Sequence, residues 1–131
     1  MKLSILVLFA LILLLGLGAC ASGPQPTDDT TPEELVQYAQ EAMDHNRYKQ
    51  ALGYYELILE RFPGNDYMTC TAEYEIAFIH YKQKKYEEAR LEFQALLERY
   101  NTPDEELLPA QFKILTNIVL EQIATKTKGK I

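Results

Sequence analysis

Two stretches of this chain share one pattern, YKQALGYYELILERF at residues 48–62 and YEEARLEFQALLERY at residues 86–100. The two stretches are 38 residues apart, and the same separation relates Ala39 to Ala77 upstream. Within each stretch the apolar residues recur on one face at helical spacing, which is typical of an amphipathic α-helix. Each stretch therefore predicts the second helix of a helix–turn–helix unit, and the chain contains two such units.

Local signals place the ends of these helices. Polar turns at residues 44–47 and 83–85 separate the two helices of each unit. Thr31-Pro32 opens the first helix, because threonine caps a helix and proline fits its first turn. Pro63-Gly64 ends the first unit, because proline cannot continue a helix. Each unit is therefore predicted to be a short helical hairpin.

A fifth helix is predicted from Glu105 to Lys126, because Thr102-Pro103 repeats the start signal of the first helix. Its apolar residues form a broad stripe, and three of them are candidate interface residues: Phe112, Leu115 and Val119. Two interpretations remain open for this stripe. Either the helix is fully covered within the stack, or it presents a surface to a partner or to a second copy of the chain.

The paired units resemble the tetratricopeptide repeat. That family has a small residue where two helices cross, an alanine opening the second helix, an aromatic four residues later and often a closing proline. The matching residues are Ala39, Ala51, Tyr55 and Pro63 in the first unit, and Ala77, Ala89 and Phe93 in the second. The resemblance implies an all-α fold over residues 32–125: two tetratricopeptide-type hairpins plus a C-terminal helix, wound as an α-α superhelix.

The long turn after the first unit and its Arg-Phe-Pro-Gly ending resemble one subgroup of these repeats. This subgroup occurs in the outer-membrane barrel-assembly lipoprotein and in the Tol-Pal-associated periplasmic repeat protein. In the family, the first helix of each unit lines a concave groove that binds peptides or helices. The positions of this chain that match the groove are Val36, Gln40, Met43, Tyr74, Phe78, Tyr81 and Lys82. The fifth helix filling the groove in cis is the alternative.

The N-terminus resembles a bacterial lipoprotein signal. Ile5–Leu15 is an unbroken apolar run, too short for a membrane span but suited to a signal peptide. It leads into Leu17-Gly-Ala-Cys20, and the resemblance implies that residues 1–19 are removed and that Cys20 is lipidated. Ala21 follows Cys20, where enteric bacteria use aspartate for inner-membrane retention, which favours the outer membrane facing the periplasm. Residues 20–31 then form the lipidated cysteine and a flexible linker.

Charge and composition argue against several functions. The net charge of −6 argues against nucleic-acid binding, which needs a basic face. Serine occurs only at positions 4 and 22, so the folded part has no serine nucleophile. No metal-ligand or glycine-rich motif is present. His80 is expected to be a hydrogen-bonded interior imidazole, and Cys70 an inert thiol. We expect no catalytic residues, metal or cofactor, and a disordered basic tail at residues 126–131.

The sequence thus favours a lipid-anchored interaction module of the bacterial cell envelope, a non-enzymatic adaptor or scaffold that binds an envelope protein or peptide. The alternative is a structural lipoprotein that assembles with itself through the apolar fifth helix. Both hypotheses attach the chain to the membrane through its N-terminal lipid.

Overall fold

The computed structural model describes residues 23–128, and the regular structure within that range is helical without a β-strand. The α-helices are α1 (Pro32–Asp44), α2 (Tyr48–Arg61), α3 (Asp66–Lys82), α4 (Tyr86–Arg99) and α5 (Ala110–Lys128), with a 3-10 turn at Glu105–Leu107. The all-α prediction is therefore confirmed for these residues. The predicted signal peptide and Cys20 lie outside the described residues.

The turns of the two hairpins are built alike. The backbone N–H of Asn46 donates to the carbonyl of Met43 at 2.9 Å, and that of Lys84 donates to Tyr81 at 3.0 Å. Asn46 and Lys84 also share left-handed backbone torsions, with φ of 56° and 63°. These partners are related by the same separation as the repeated sequence, so the repeat register predicted from sequence is confirmed by hydrogen bonding.

The turn at Lys84 offers a test of this register. A left-handed torsion is costly for lysine and less so for asparagine. We expect Lys84→Asn to raise the free energy of unfolding by about 0.5 kcal/mol or more, measured by urea denaturation. The reciprocal change, Asn46→Lys, should lower it. A loss of stability in Lys84→Asn would contradict the shared turn geometry.

The core consists of two apolar clusters that meet in α3. Ala51 and Ala89 are fully buried at 0% exposure, as close helix crossing requires. The first cluster joins α1 and α2 to one face of α3, through Met68, Ala72 and Ile79. The second cluster joins the opposite face of α3 to α4 and α5, through Cys70, Tyr74 and Ala77. Because α3 belongs to both clusters, it fixes the second unit on the first.

The start of the last helix differs from the prediction. The chain makes a single 3-10 turn at Glu105–Leu107, and Leu108 is extended before Pro109. The residue before a proline is disfavoured in the helical region, so the helix does not begin until Ala110. The helix then continues to Lys128, beyond the predicted boundary at residue 126, and residues 129–131 lie outside the described range.

The described part of the predicted flexible linker lies against the bundle. The Tyr54 hydroxyl donates to the Pro24 carbonyl at 2.6 Å, and Arg61 donates to the Thr27 carbonyl at 2.7 Å. Thr30 is buried. The N-terminal segment, residues 23–31, therefore runs along α2 and is held at Pro24 and Thr27 by side chains of that helix. These two donors lie far along the sequence from the carbonyls they bind, so the local composition of the segment did not reveal the contact.

Candidate functional site

Three predicted groove residues form an aromatic row on α3. The rings of Tyr74 and Phe78 are stacked with centroids 5.9 Å apart, and those of Phe78 and Tyr81 with centroids 5.8 Å apart. Tyr74 is only 8% exposed because the ring of Phe112 from α5 lies 5.7 Å away. Tyr74 is thus a core residue under α5, and a partner could reach it only if α5 moved.

The rest of the row is partly covered by α5. The Tyr81 hydroxyl donates to Gln122 at 2.9 Å, and the Lys126 ammonium lies 6.0 Å from the centre of the Tyr81 ring. Phe78 and Tyr81 are half-buried. In the second unit, α5 therefore covers part of the predicted groove, as in the alternative in which the fifth helix fills the groove in cis.

The other predicted groove residues lie beyond this cover. Val36 and Met43 on α1 are half-buried against the first cluster, and Gln40 between them is exposed. Lys82 is exposed, with its ammonium 5.9 Å from the centre of the Phe78 ring. The accessible remainder of the predicted groove is therefore formed by these four residues and the open sides of Phe78 and Tyr81.

The last helix has two apolar faces, and only one is buried. Its buried residues are Phe112, Thr116, Val119 and Ile123. Phe112 and Val119 were predicted as interface residues and instead belong to the core, because they pack on α3 and α4. Of that predicted set only Leu115 is exposed, at 40%, and it is joined by Ile114 at 62% and Ile118 at 47%. We call Ile114, Leu115 and Ile118 the α5 outer row.

Comparison with α3 explains the outer row. Counted from the first residue of each helix, the buried residues Phe112 and Thr116 hold the positions of Met68 and Ala72, which pack α3 on the preceding hairpin. Ile114 and Ile118 likewise hold the positions of the buried Cys70 and Tyr74. Those positions of α3 are covered by the helices that follow. Helix α5 therefore resembles the first helix of a third unit, whose second face has no covering helix among residues 23–128.

The interior histidine is held by acids of the neighbouring helix. The Nδ1 atom of His80 lies 2.7 Å from Glu92, its Nε2 atom lies 3.8 Å from Glu88, and the residue is 8% exposed. The hydrogen-bonded role predicted for His80 is confirmed. The three residues have zinc-ligand chemistry and their ligand atoms lie within 4.8 Å of one another. The two carboxylates meet different ring nitrogens, and only the His80–Glu92 contact has hydrogen-bond length. This geometry is that of a side-chain crosslink between α3 and α4.

A second crosslink lies beside an open cavity of about 330 Å³ lined by Leu59, Ile76 and Leu96. At its edge Arg99 donates to Glu73 at 3.0 Å and to Asp66 at 3.3 Å. Burial raises the pKa of Glu73, and the guanidinium of Arg99 partly opposes that rise. Glu73 and Arg99 lie 26 residues apart on different helices, so no local pattern in the sequence pointed to this pair.

Cys70 is a buried free thiol. It is fully buried, burial raises its pKa, and the Tyr100 hydroxyl lies 3.9 Å from its sulfur. A raised pKa keeps a thiol protonated and unreactive. This agrees with the inert role predicted for Cys70.

Comparisons with known proteins add one relative. A protein of Treponema pallidum (strain Nichols), described as uncharacterized, is 35% identical over 118 residues, which are 88% of this chain and 47% of that protein. The chain thus spans about half the length of that relative. No protein-family model and no solved structure matches. Among residues 23–128, no helix has the length and apolar character needed to cross a bilayer.

Proposed function

We propose that the protein is a non-enzymatic interaction module built from tetratricopeptide-type hairpins. Within that class it is a lipid-anchored adaptor or scaffold of the bacterial cell envelope, tethered through Cys20 and facing the periplasm from the outer membrane. It binds an envelope protein or peptide and takes part in envelope or outer-membrane assembly. The two-unit repeat of the sequence and the lipoprotein-like run before Cys20 support this proposal.

The observation that carries the proposal is the α5 outer row. Three large aliphatic side chains are exposed on two consecutive turns of one helix. Repeat units bury a continuous core only when a neighbour covers each apolar face. An amphipathic partner helix fits this exposed face, because it can take the position that the second helix of a third unit would hold.

Charge placed on the outer row should abolish partner binding. We expect Ile114→Glu with Ile118→Glu to reduce cross-linked co-purification of the envelope partner at least about tenfold, which corresponds to about 1.4 kcal/mol. The matched control is Asn117→Glu with Ala124→Glu, which adds the same charge to the exposed polar flank of α5. The measurement uses membranes containing the chain with Cys20 intact. Equal recovery of partners in both variants would remove the outer row from the proposal.

A second copy of the chain is the other candidate partner, since one apolar helix face can pair with itself about a two-fold axis. This would make the protein a self-assembling structural lipoprotein. Sedimentation of the chain at micromolar concentration separates the two functions. A monomer removes self-assembly, whereas a dimer that the Ile114→Glu, Ile118→Glu variant dissociates would favour it.

A further inference from the structure

The two ends of the helix bundle carry opposite charge. Hairpin connections make α1, α3 and α5 run in one direction and α2 and α4 in the other, and Lys126 of α5 lies over Tyr81 near the end of α3. The α1–α2 turn, the α3–α4 turn and the last turn of α5 therefore share one end, here called the basic end. Its exposed lysines are Lys49, Lys82, Lys84, Lys85, Lys126 and Lys128.

The opposite end of the bundle is acidic. Its exposed carboxylates include Asp28, Asp29, Asp66, Asp104, Glu105 and Glu106. The cations there are engaged: Arg99 with Asp66 and Glu73, Lys113 with Glu105, and Arg61 with the Thr27 carbonyl. At the basic end the acids Glu87 and Glu88 are paired with Arg90 and Lys85, and Glu41 and Asp44 in the last turn of α1 are exposed. The excess of positive charge on an otherwise acidic protein is thus confined to one end.

Helix capping alone does not account for these lysines. At the acidic end the N-cap residues of α1 and α3 are Thr31 and Asn65, whose side chains accept hydrogen bonds from the helix backbone. At the basic end the N-cap residues of α2 and α4 are Arg47 and Lys85. Their side chains have no hydrogen-bond acceptor, and their positive charge is unfavourable at the N-terminal end of the helix dipole. Lysines at helix C-termini stabilise the helix through its dipole, whereas a cation at the N-cap destabilises it. The positive charge of Arg47 and Lys85 is therefore not explained by helix stability.

The chain leaves the bundle at the same end. Gly23 lies so close to Gln50, in the first turn of α2, and to Tyr54 that an added Cβ would stand 2.8 Å from the Tyr54 hydroxyl oxygen. Residue 20 precedes Gly23 by three positions, a reach of about 11 Å at most. An anchor at Cys20 therefore holds the basic end, and not the acidic end, near the bilayer.

We infer that the basic end of the bundle is a docking surface for an anionic phospholipid bilayer, which sets the domain upright with the acidic end and the start of α1 away from the membrane. The inference rests on the proposed anchor at Cys20. Lysines gain from anionic headgroups only within about a Debye length, and a short tether keeps them within that range. The α5 outer row then faces sideways and is accessible to a partner along the membrane.

The test measures which end meets the lipid. A single exposed thiol for a fluorophore is introduced by His45→Cys at the basic end or Gly64→Cys at the acidic end, and the native Cys70 thiol is buried. Both positions are exposed turn residues at opposite ends of α2. Helix α2 has 14 residues and is about 21 Å long. The full lipidated chain is reconstituted in vesicles carrying a headgroup quencher, made of phosphatidylcholine alone or of equal parts phosphatidylcholine and phosphatidylglycerol.

We expect the probe at residue 45 to be quenched at least about threefold more than the probe at residue 64 in the anionic vesicles. The difference should fall in neutral vesicles and at about 1 M salt, where the Debye length is about 3 Å. It should also fall in a Lys84→Gln, Lys85→Gln, Lys128→Gln variant. Equal quenching of the two probes, no quenching of either, or stronger quenching at residue 64 overturns the inference.

Flotation of the chain with the vesicles tests the anchor separately from the docking surface. A chain that floats with neutral vesicles is anchored, whatever the probes report. Equal quenching of the two probes in such a chain would contradict only the docking surface. A chain that floats only with anionic vesicles, with residue 45 the more quenched, supports the docking surface and contradicts the anchor.

Discussion

Phe93→Ala is expected to lower the free energy of unfolding by about 3–5 kcal/mol, the usual cost of deleting a fully buried phenylalanine ring. Phe93 has 0% exposure, and its ring lies 5.5 Å from that of Tyr74. The second cluster joins α3, α4 and α5, so the cavity would loosen all three helices. A small domain has about 5–15 kcal/mol of stability in total. Urea denaturation followed by far-ultraviolet circular dichroism measures the loss.

Phe93→Leu is the matched control for this prediction. Leucine keeps much of the buried volume, so its loss should be well below that of alanine. The equivalent residue of the first unit, Tyr55, is also fully buried, and Tyr55→Ala should cost a similar amount. A loss below about 1 kcal/mol in Phe93→Ala is incompatible with a ring that fills the space between α3, α4 and α5.

Arg99→Met is expected to destabilise the domain by about 1–3 kcal/mol at neutral pH, because it leaves the Glu73 carboxylate half-buried without its cation. Both side chains keep about 30% exposure, 31% for Arg99 and 30% for Glu73, so solvent reduces the loss below that of a fully buried pair. The second carboxylate oxygen of Glu73 has no hydrogen-bond partner among the described residues. Thermal or urea unfolding measures the change.

The pH dependence of the Arg99→Met variant identifies the cause. Burial already raises the pKa of Glu73 above its usual 4.5, and removing Arg99 raises that pKa further. With the folded pKa above the unfolded one, the native state binds protons more tightly. The variant should regain stability relative to the parent as the pH falls towards 4.5, and lose it as the pH rises through the raised pKa. The Glu73→Gln, Arg99→Met variant should recover most of the loss and show no such dependence. A loss that is constant with pH would mean that lost packing, not charge, is responsible.

The repeated spacing predicted the hairpins because helix periodicity and small residues at crossings are local properties of the sequence. Ala39, Ala51, Ala77 and Ala89 are buried as that spacing requires. The last helix was placed too early because Thr102-Pro103 carries a genuine start signal, whereas the second proline at 109 decides where the helix begins. Its buried face was misassigned because Phe112 and Leu115 both belong to a broad apolar stripe, and only packing against α3 and α4 selects between them.

Long-range contacts were beyond the reach of the sequence. The carbonyls of Pro24 and Thr27 are bound by side chains 30 and 34 residues away, and no local pattern announces such pairs. The groove was predicted from single helices, so the sequence left open whether α5 would cover Tyr74. The charge separation of the two ends becomes visible only when antiparallel helices bring distant turns together.

If the chain is anchored at Cys20, as proposed, the path of the N-terminal segment gives the domain a mechanical property. A pull between the membrane and a bound partner would then act first on residues 23–30, because these precede α1 in the line of tension. The hydrogen bonds from Tyr54 to Pro24 and from Arg61 to Thr27 would break before the helices unfold, since each contact is a single hydrogen bond. The eight freed residues would extend by about 26 Å. The protein would thus extend under tension through this segment while its helices remained folded.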